Sequence, residues 1–396
     1  MNKMDSLGRT NFIAIGVGQG DAFFFEKDGK TALIDGGRAR LGFAKQFERV
    51  TGLDGVDILV CSHNDADHAQ GLIGFLESGL EAKEVWLPAS WTDRLEDLLL
   101  RPYEFLSELV LNIKEAKIPK EISLSKLGDY YAIREEEKVN ERLNEVNIEY
   151  LENVLETVSD FEDIWEIEFD LFNLLPFYPY SLFAFLFRLL NINNGKLKLL
   201  LEALCAGNRI RNIVLLAYHS GALIRWFNYN EFKNEGGKSD FLIPINSEEV
   251  IKIKRPRRTA LEYLALTTSN KESLVFMSPS TNDTPAILFT ADSDLSFKQK
   301  IDWESKMLIT APHHGSKLNA YAYKRFKKDT NNKITDVVWV RSDMKSKRRP
   351  CELYLKAPGK KYCTICRSCN LPKQNVRLIY KNNRWVPIST RECCCK

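Results

Sequence analysis

Two of the chain's five histidines and two carboxylates fall within Ser62-His63-Asn64-Asp65-Ala66-Asp67-His68. Imidazole nitrogen and carboxylate oxygen suit zinc, manganese or iron. In the spacing H-x-D-x-D-H, alternate side chains can face two neighbouring ions. The same residues can also make an Asp-rich exposed turn with incidental histidines, so the flanking elements matter. Val56 to Cys61 ahead of them reads as a buried strand, and Ala69 to Leu76 behind them can start a helix. A strand end that throws His and Asp into the following turn is a place where a metal site is easily built.

Three further motifs agree with that chemistry. Gly16-Val17-Gly18-Gln19-Gly20-Asp21-Ala22 is followed by Leu33-Ile34-Asp35-Gly36-Gly37. Far downstream come Ile287-Leu288-Phe289-Thr290-Ala291-Asp292 and Ala311-Pro312-His313-His314-Gly315-Ser316. Together with the His63 motif, these resemble a metallo-β-lactamase-fold hydrolase. The VGQGD string, an Asp where most of the superfamily has a second His, and the HHGS ending resemble the hydrolase domain of the competence protein ComEC. The resemblance covers roughly residues 10–90 and 206–320 and leaves out the middle of the chain and its last part.

The resemblance implies an αββα sandwich and two divalent ions, zinc or manganese. His63, Asp65, Asp67, His68, Asp292 and His314 would be the ligands, with Asp292 bridging and Asp67 also serving catalysis. It places Asp35 behind the ligands as a support, although Asp-Gly-Gly is also a good turn. His314, followed by Gly315-Ser316, best matches the family ligand. His313 would then stand beside the substrate as proton donor or phosphate contact, or the two histidines exchange roles. Ser316 would touch substrate. The family mostly has Gly before the bridging Asp, so Ala291 is a departure. The superfamily often takes a third His from the second half of the fold. His219 is a candidate, but Ile213–Tyr218 and Ala222–Phe227 on either side of it read as a hairpin, which would make it a hydrogen-bonded hairpin residue.

Those residues need a strand-rich frame. Asn11–Ile15, Ala22–Phe25, Thr31–Ile34 and Val85–Pro88 read as strands, and 39–50 suits a helix. Ala286–Thr290 and Met307–Ala311 read as strands that deliver Asp292 and the two histidines. Strand–helix alternation indicates α/β layering. The domain plan is therefore 10–91 for the first half of the sandwich, 92–205 for a helical insert, 206–320 for the second half and 321–396 for a basic, cysteine-containing C-terminal extension. In the insert, Leu95–Ile118 and Glu135–Ser159 carry apolar residues at helical spacing. Trp165–Leu190 is very apolar but is broken by Glu166, Glu168, Asp170, Pro176, Pro179 and Arg188, which argues against a membrane span. Its aromatic density suits core packing, a cap over the site, or a surface for a protein partner or self-association.

The 396 residues are 44% hydrophobic and 28% charged, as in a globular protein with a sizeable core. The net charge of +3 hides an asymmetry. Lys317–Lys396 carries 21 Lys+Arg against 5 Asp+Glu, a net +16 that leaves −13 for the rest. Such a segment suits a polyanion, or a contact with the chain's own acidic insert. Lys345, Lys347, Arg348 and Arg349 are its densest cluster and candidate contacts to a nucleic-acid backbone, and Lys252–Arg258 is a second basic run. Seven of the nine cysteines follow residue 350. This is no secreted disulfide framework, and with no visible signal peptide it points to a reducing cytoplasm. Cys363-x-x-Cys366-x-x-Cys369 and Cys393-Cys394-Cys395 can hold a structural zinc through Cys363 and Cys366, or be unpaired or redox-exchanging thiols.

The function expected is metal-dependent hydrolysis, foremost of nucleic-acid phosphodiesters. The alternatives are hydrolysis of small esters, nucleotides or lactones, and a non-catalytic metal-binding regulator.

Overall fold

The structure is a computed structural model that describes residues 10–117, 119, 122–135, 143–159, 194–368 and 372–395. Trp165–Leu190 and Cys369 lie outside the described residues. The chain divides into two compact units. One comprises 1–88, 219–249 and 273–396, and the other 89–218 and 250–272.

The first unit holds the αββα sandwich. Its larger sheet contains β1 (Asn11–Ala14), β2 (Phe23–Lys27), β3 (Lys30–Ile34), β4 (Gly55–Val60), β5 (Glu81–Pro88), β7 (Leu223–Tyr229), β9 (Ser247–Glu249), β16 (Val376–Lys381) and β17 (Arg384–Pro387). They run in the order β17-β16-β1-β2-β3-β4-β5-β7-β9. The smaller sheet contains β8 (Ile243–Pro244), β11 (Phe276–Ser278), β12 (Ile287–Phe289), β13 (Leu308–Thr310), β14 (Val338–Arg341) and β15 (Lys360–Cys363), in the order β15-β14-β13-β12-β11-β8.

Alternation along the strands explains the layers, because successive side chains point to opposite faces. Phe23 and Phe25 face the second sheet, where the Phe25 ring lies 4.7 Å from Phe241 and 5.2 Å from Phe289. Phe24, between them, turns outward onto Phe47 of α1 (Phe43–Thr51), and Phe47 packs at 5.1 Å on Phe75 of α2 (Ala66–Glu77). On the far side, Leu288, Ile309 and Trp339 alternate with the inward Ile287, Leu308 and Val338. They pack with Phe326 of α9 (Ala320–Asp329) and Tyr354 of α10 (Glu352–Lys356).

The basic, cysteine-containing segment is woven into both sheets: β14 and β15 extend the smaller one, and β16 pairs with β1, Asn11 opposite Ile379. It is thus part of the sandwich rather than an appendage.

The second unit has α3 (Leu95–Leu100), α4 (Pro102–Glu115), α5 (Leu124–Glu135), α6 (Ile148–Ser159), α7 (Asn194–His219) and α8 (Ala260–Thr267). The described residues include no helix long and apolar enough to cross a membrane. Two expectations are corrected here. The stretch Glu135–Ser159 is not helical throughout, because Leu143–Asn147 forms β6, antiparallel to β10 (Lys252–Pro256), and α6 starts only at Ile148. The hairpin around His219 does not form. Ile213–Tyr218 is the end of α7, whose buried Leu200, Ala203, Gly207, Ile210, Val214 and Ala217 follow helical spacing, and only Leu223–Tyr229 is a strand.

Candidate metal centre

The order of the strands brings the chemistry together. β3, β4 and β5 are mutually parallel, as are β12, β13, β14 and β15. In open α/β sheets ligands bind beyond the carboxyl ends of such strands. Here those ends deliver Asp35 after β3, the His63–His68 loop after β4, Asp292 after β12, His313 and His314 after β13, and Ser342 after β14.

Four imidazoles surround Asp292. From Asp292 Oδ1, His68 Nε2 is 3.2 Å and His314 Nε2 3.8 Å. From Oδ2, His313 Nε2 is 3.5 Å and His63 Nε2 3.9 Å. The His68 and His314 rings lie 5.4 Å apart, and those of His63 and His68 4.3 Å apart. His314 Nε2 is 3.5 Å from Asp67, and Asp65 is 3.9 Å from His63. The sequence-predicted ligands therefore meet in one cluster.

The hydrogen bonds behind the rings set their tautomers. His68 Nδ1 donates to Asp35 Oδ2 at 2.7 Å. Ser62 Oγ gives its proton to the same oxygen at 2.7 Å, so it accepts from His63 Nδ1 at 3.0 Å. The amide of Asn319 donates to the Asp292 carbonyl at 2.6 Å, so its oxygen accepts from His313 Nδ1 at 3.0 Å. The Ser342 carbonyl accepts from His314 Nδ1 at 2.9 Å, with Asp21 at 3.0 Å. Each Nδ1 thus carries a proton, and each Nε2 is the ring nitrogen turned inward, where a cation can take the place of a proton. A carboxylate or carbonyl behind the ring is the usual support of a metal-ligating histidine.

The fit to metal is direct. Nε2 of His63, His68 and His314, Oδ1 of Asp292 and Oδ2 of Asp21 are buried with no hydrogen-bond partner. A buried polar atom without a partner costs about 1–3 kcal/mol, so five in one cluster need something to satisfy them. Three overlapping groups have ligand atoms within 4.8 Å of one another: His63–His68–Asp292, Asp67–His68–His314 and Asp21–Asp292–His314.

Charges in the cluster respond to each other. Burial pushes His63 down to about 3. Burial also opposes charge on His68 and His314, but the carboxylates of Asp292 and Asp35 around the first, and of Asp21 and Asp292 around the second, raise both well above the usual histidine range. Burial would raise Asp292, yet His313, His68 and His314 hold it well below the carboxylate range. Burial wins at Asp21, whose carboxyl is raised.

Backbone geometry at the site is unusual. Asp35, Ala291, His313 and His314 all have left-handed φ, between 46° and 59°. A side chain there costs roughly 1–2 kcal/mol per residue, and such strain collects at functional sites. Ala291 at φ 46° explains why glycine suits the position before Asp292. Gly20, at φ 98°, brings the turn before β2 against the start of α2: a Cβ would stand 1.8 Å from the Asp67 carbonyl. Gly20→Ala should therefore cost roughly 2–4 kcal/mol and shift Asp67. A urea midpoint and metal stoichiometry equal to the wild type would refute this.

Asp21 and Asn319 were not singled out in the sequence. Asp21 was readable as a charged residue set against the apolar run Ala22–Phe25; Asn319 left no local signal. His219 is exposed at the end of α7 and joins none of the groupings above. Ser316 Oγ accepts from the Leu318 amide at 3.2 Å, capping a short 3₁₀ turn. Lys345, Lys347 and Arg348 are exposed, while Arg349 is half-buried and paired with Asp343 at 3.0 Å. Arg255 and Arg258 of the second basic run pair with Asp93 in their own unit.

An αββα sandwich with a His/Asp cluster at the carboxyl ends of its parallel strands is consistent with the metallo-β-lactamase fold. Residues 15–107 match the family model described as Metallo-beta-lactamase superfamily, whose members are generally metal-dependent hydrolases. None of the curated proteins matches the chain.

Proposed function

We propose that this chain is a two-cation phosphodiesterase of the ComEC type that cuts nucleic acid. The observation that carries the reading is the division of four Nε2 atoms between the two oxygens of Asp292. In this reading Asp292 would be shared by the two cations, with His63, Asp65 and His313 holding one and Asp67, His68 and His314 the other. Asp21 and Asp35 orient His314 and His68. His313, with its proton held on Nδ1, acts as a ligand in place of the proton donor expected from sequence. The carboxylate share suits zinc or manganese.

Bound divalent cations would supply an acidic water, its pKa lowered toward about 7 in the best zinc sites, and offset charge growing on the attacked phosphorus. The protein's part is to hold the reacting groups in place. Buried His63, His68, His314 and Asp292 are fixed from behind, while Asp67 and His313 keep some exposure and face incoming substrate. Substrate class rests on the loop after β14. Ser342 anchors it behind His314, and Cys351 donates to the Gly315 carbonyl at 2.8 Å, so both ends are tied to the site. Exposed Lys345, Lys347 and Arg348 lie between those ties.

Cations that neutralise phosphates release counterions, so affinity falls with salt. Replacing Lys345, Lys347 and Arg348 together by Ala should flatten the log–log salt dependence of single-stranded DNA binding by about 2. Hydrolysis of bis-p-nitrophenyl phosphate with added Mn²⁺ or Zn²⁺ should scarcely change. Salt-independent or absent DNA binding by the intact protein, with the small diester still cleaved, would favour the small-ester hydrolase. No turnover of any ester by metal-loaded protein would favour the regulator.

A further inference from the structure

We infer that Cys363, Cys366, Cys393 and Cys395 form a second, structural zinc site, separate from the His/Asp cluster. Cys363 ends β15, and Cys366 follows in the next turn. Cys393 and Cys395 belong to the segment after β17. The two segments are brought together by backbone: Tyr362 bridges Glu392, and the Cys393 amide donates to the Lys361 carbonyl at 2.8 Å. Gln374 adds a clamp. Its amide nitrogen donates to the carbonyls of Cys363 at 2.9 Å and Arg391 at 3.0 Å, and its oxygen accepts from the Arg391 amide at 3.0 Å.

The sulfurs converge as a result. Those of Cys363, Cys366 and Cys393 lie within 4.8 Å of one another. Cys395 is the fourth corner: it is 3.4 Å from Cys366 and contacts both Cys363 and Cys393. Zn–S bonds of about 2.3 Å in a tetrahedron put sulfurs about 3.8 Å apart, the spacing this cluster straddles. None of the eight described cysteines forms a disulfide. Cys394 approaches Cys366 at 3.1 Å but is exposed, whereas Cys395 is half-buried and reaches Cys363 and Cys393 as well.

The surroundings suit a tetrathiolate. Zinc with four thiolates carries two negative charges, and the buried guanidinium of Arg341 lies near enough to Cys363 and Cys395 to interact with both. The same Arg341 donates to the Ile365 carbonyl at 2.6 Å, inside the Cys363–Cys366 turn. The ion would staple β15, at one border of the smaller sheet, to the segment beyond β17, at a border of the larger one. Thiolate ligands select zinc over the harder cations suited to the His/Asp cluster.

The test uses full-length protein purified under reducing conditions and loaded with cobalt in place of zinc. Asp292→Ala serves as background, because it should deplete the His/Asp cluster of metal. Thiolate-to-cobalt charge-transfer absorption in the near ultraviolet is expected, with about one equivalent of metal retained. Cys363→Ser and Cys395→Ser should lose the band and that equivalent, while Cys394→Ser keeps both. If the serine variants fail to fold, a mercurial titration of the wild type provides the second measurement, and release of about one zinc as the thiols are blocked is expected. A cobalt spectrum with only nitrogen and oxygen ligands, or thiol blocking without zinc release, would overturn the site, as would a disulfide mapped between these cysteines.

Discussion

Asp292→Ala should lower hydrolysis by about a thousandfold or more and leave the purified protein with its His/Asp cluster depleted of metal. The argument is geometric. Each oxygen of Asp292 faces a different pair of imidazoles, so its loss removes a carboxylate oxygen from both halves of the cluster at once. The sandwich itself should survive, because Asp292 follows β12 and takes no part in the apolar core between the sheets. Metal analysis and circular dichroism should accompany the rate. A variant that keeps both cations of the His/Asp cluster, beside any thiolate-bound zinc, or that retains a tenth of the activity, would remove Asp292 from the bridging role.

The second large effect is expected one layer further out. Asp35 is 1% exposed and accepts from the Ser62 amide at 2.8 Å, the Ser62 hydroxyl and His68 Nδ1. Asp35→Asn keeps the size of the side chain but offers an amide N–H where His68 requires an acceptor. The ring answers by moving its proton from Nδ1 to Nε2, onto the atom that faces Asp292. Metal affinity should fall by about 10–100-fold, the usual effect of losing such a support. A chelator competition measures this, and histidine nitrogen chemical shifts report the tautomer. A variant with lowered stability but unchanged metal affinity and an unchanged tautomer would make Asp35 a turn residue only.

Much of this site could be read from short strings because its ligands come in local groups. His63, Asp65, Asp67 and His68 share one loop, and Asp292 and His314 each close an apolar strand. What the sequence concealed depends on partners far apart. Asp21 meets His314 across 293 positions, and Asn319 holds His313 only because a 3₁₀ turn brings it back. Ile213–Tyr218 was misread for a different reason. Its β-branched and large apolar residues suit a strand locally, and only the longer rhythm from Leu200 to Ala217 marks a helix. The β16–β17 hairpin did carry a local sign. Asn382 and Asn383, at φ 53° and 62°, form the two-residue turn that left-handed Asn favours, flanked by Val376–Lys381 and Arg384–Pro387.

The pairing of β1 with β16 has a consequence for the making of the protein. β1 waits for a neighbour made about 360 residues later, roughly 20–70 s at synthesis rates of about 5–20 residues per second. Until then Phe12 and Ile13 have an unpaired edge, a template for pairing with another nascent chain. The larger sheet is therefore finished only once β16 and β17 have been made. A chain stopped before residue 376 should collect in inclusion bodies even though every histidine of the metal cluster is present.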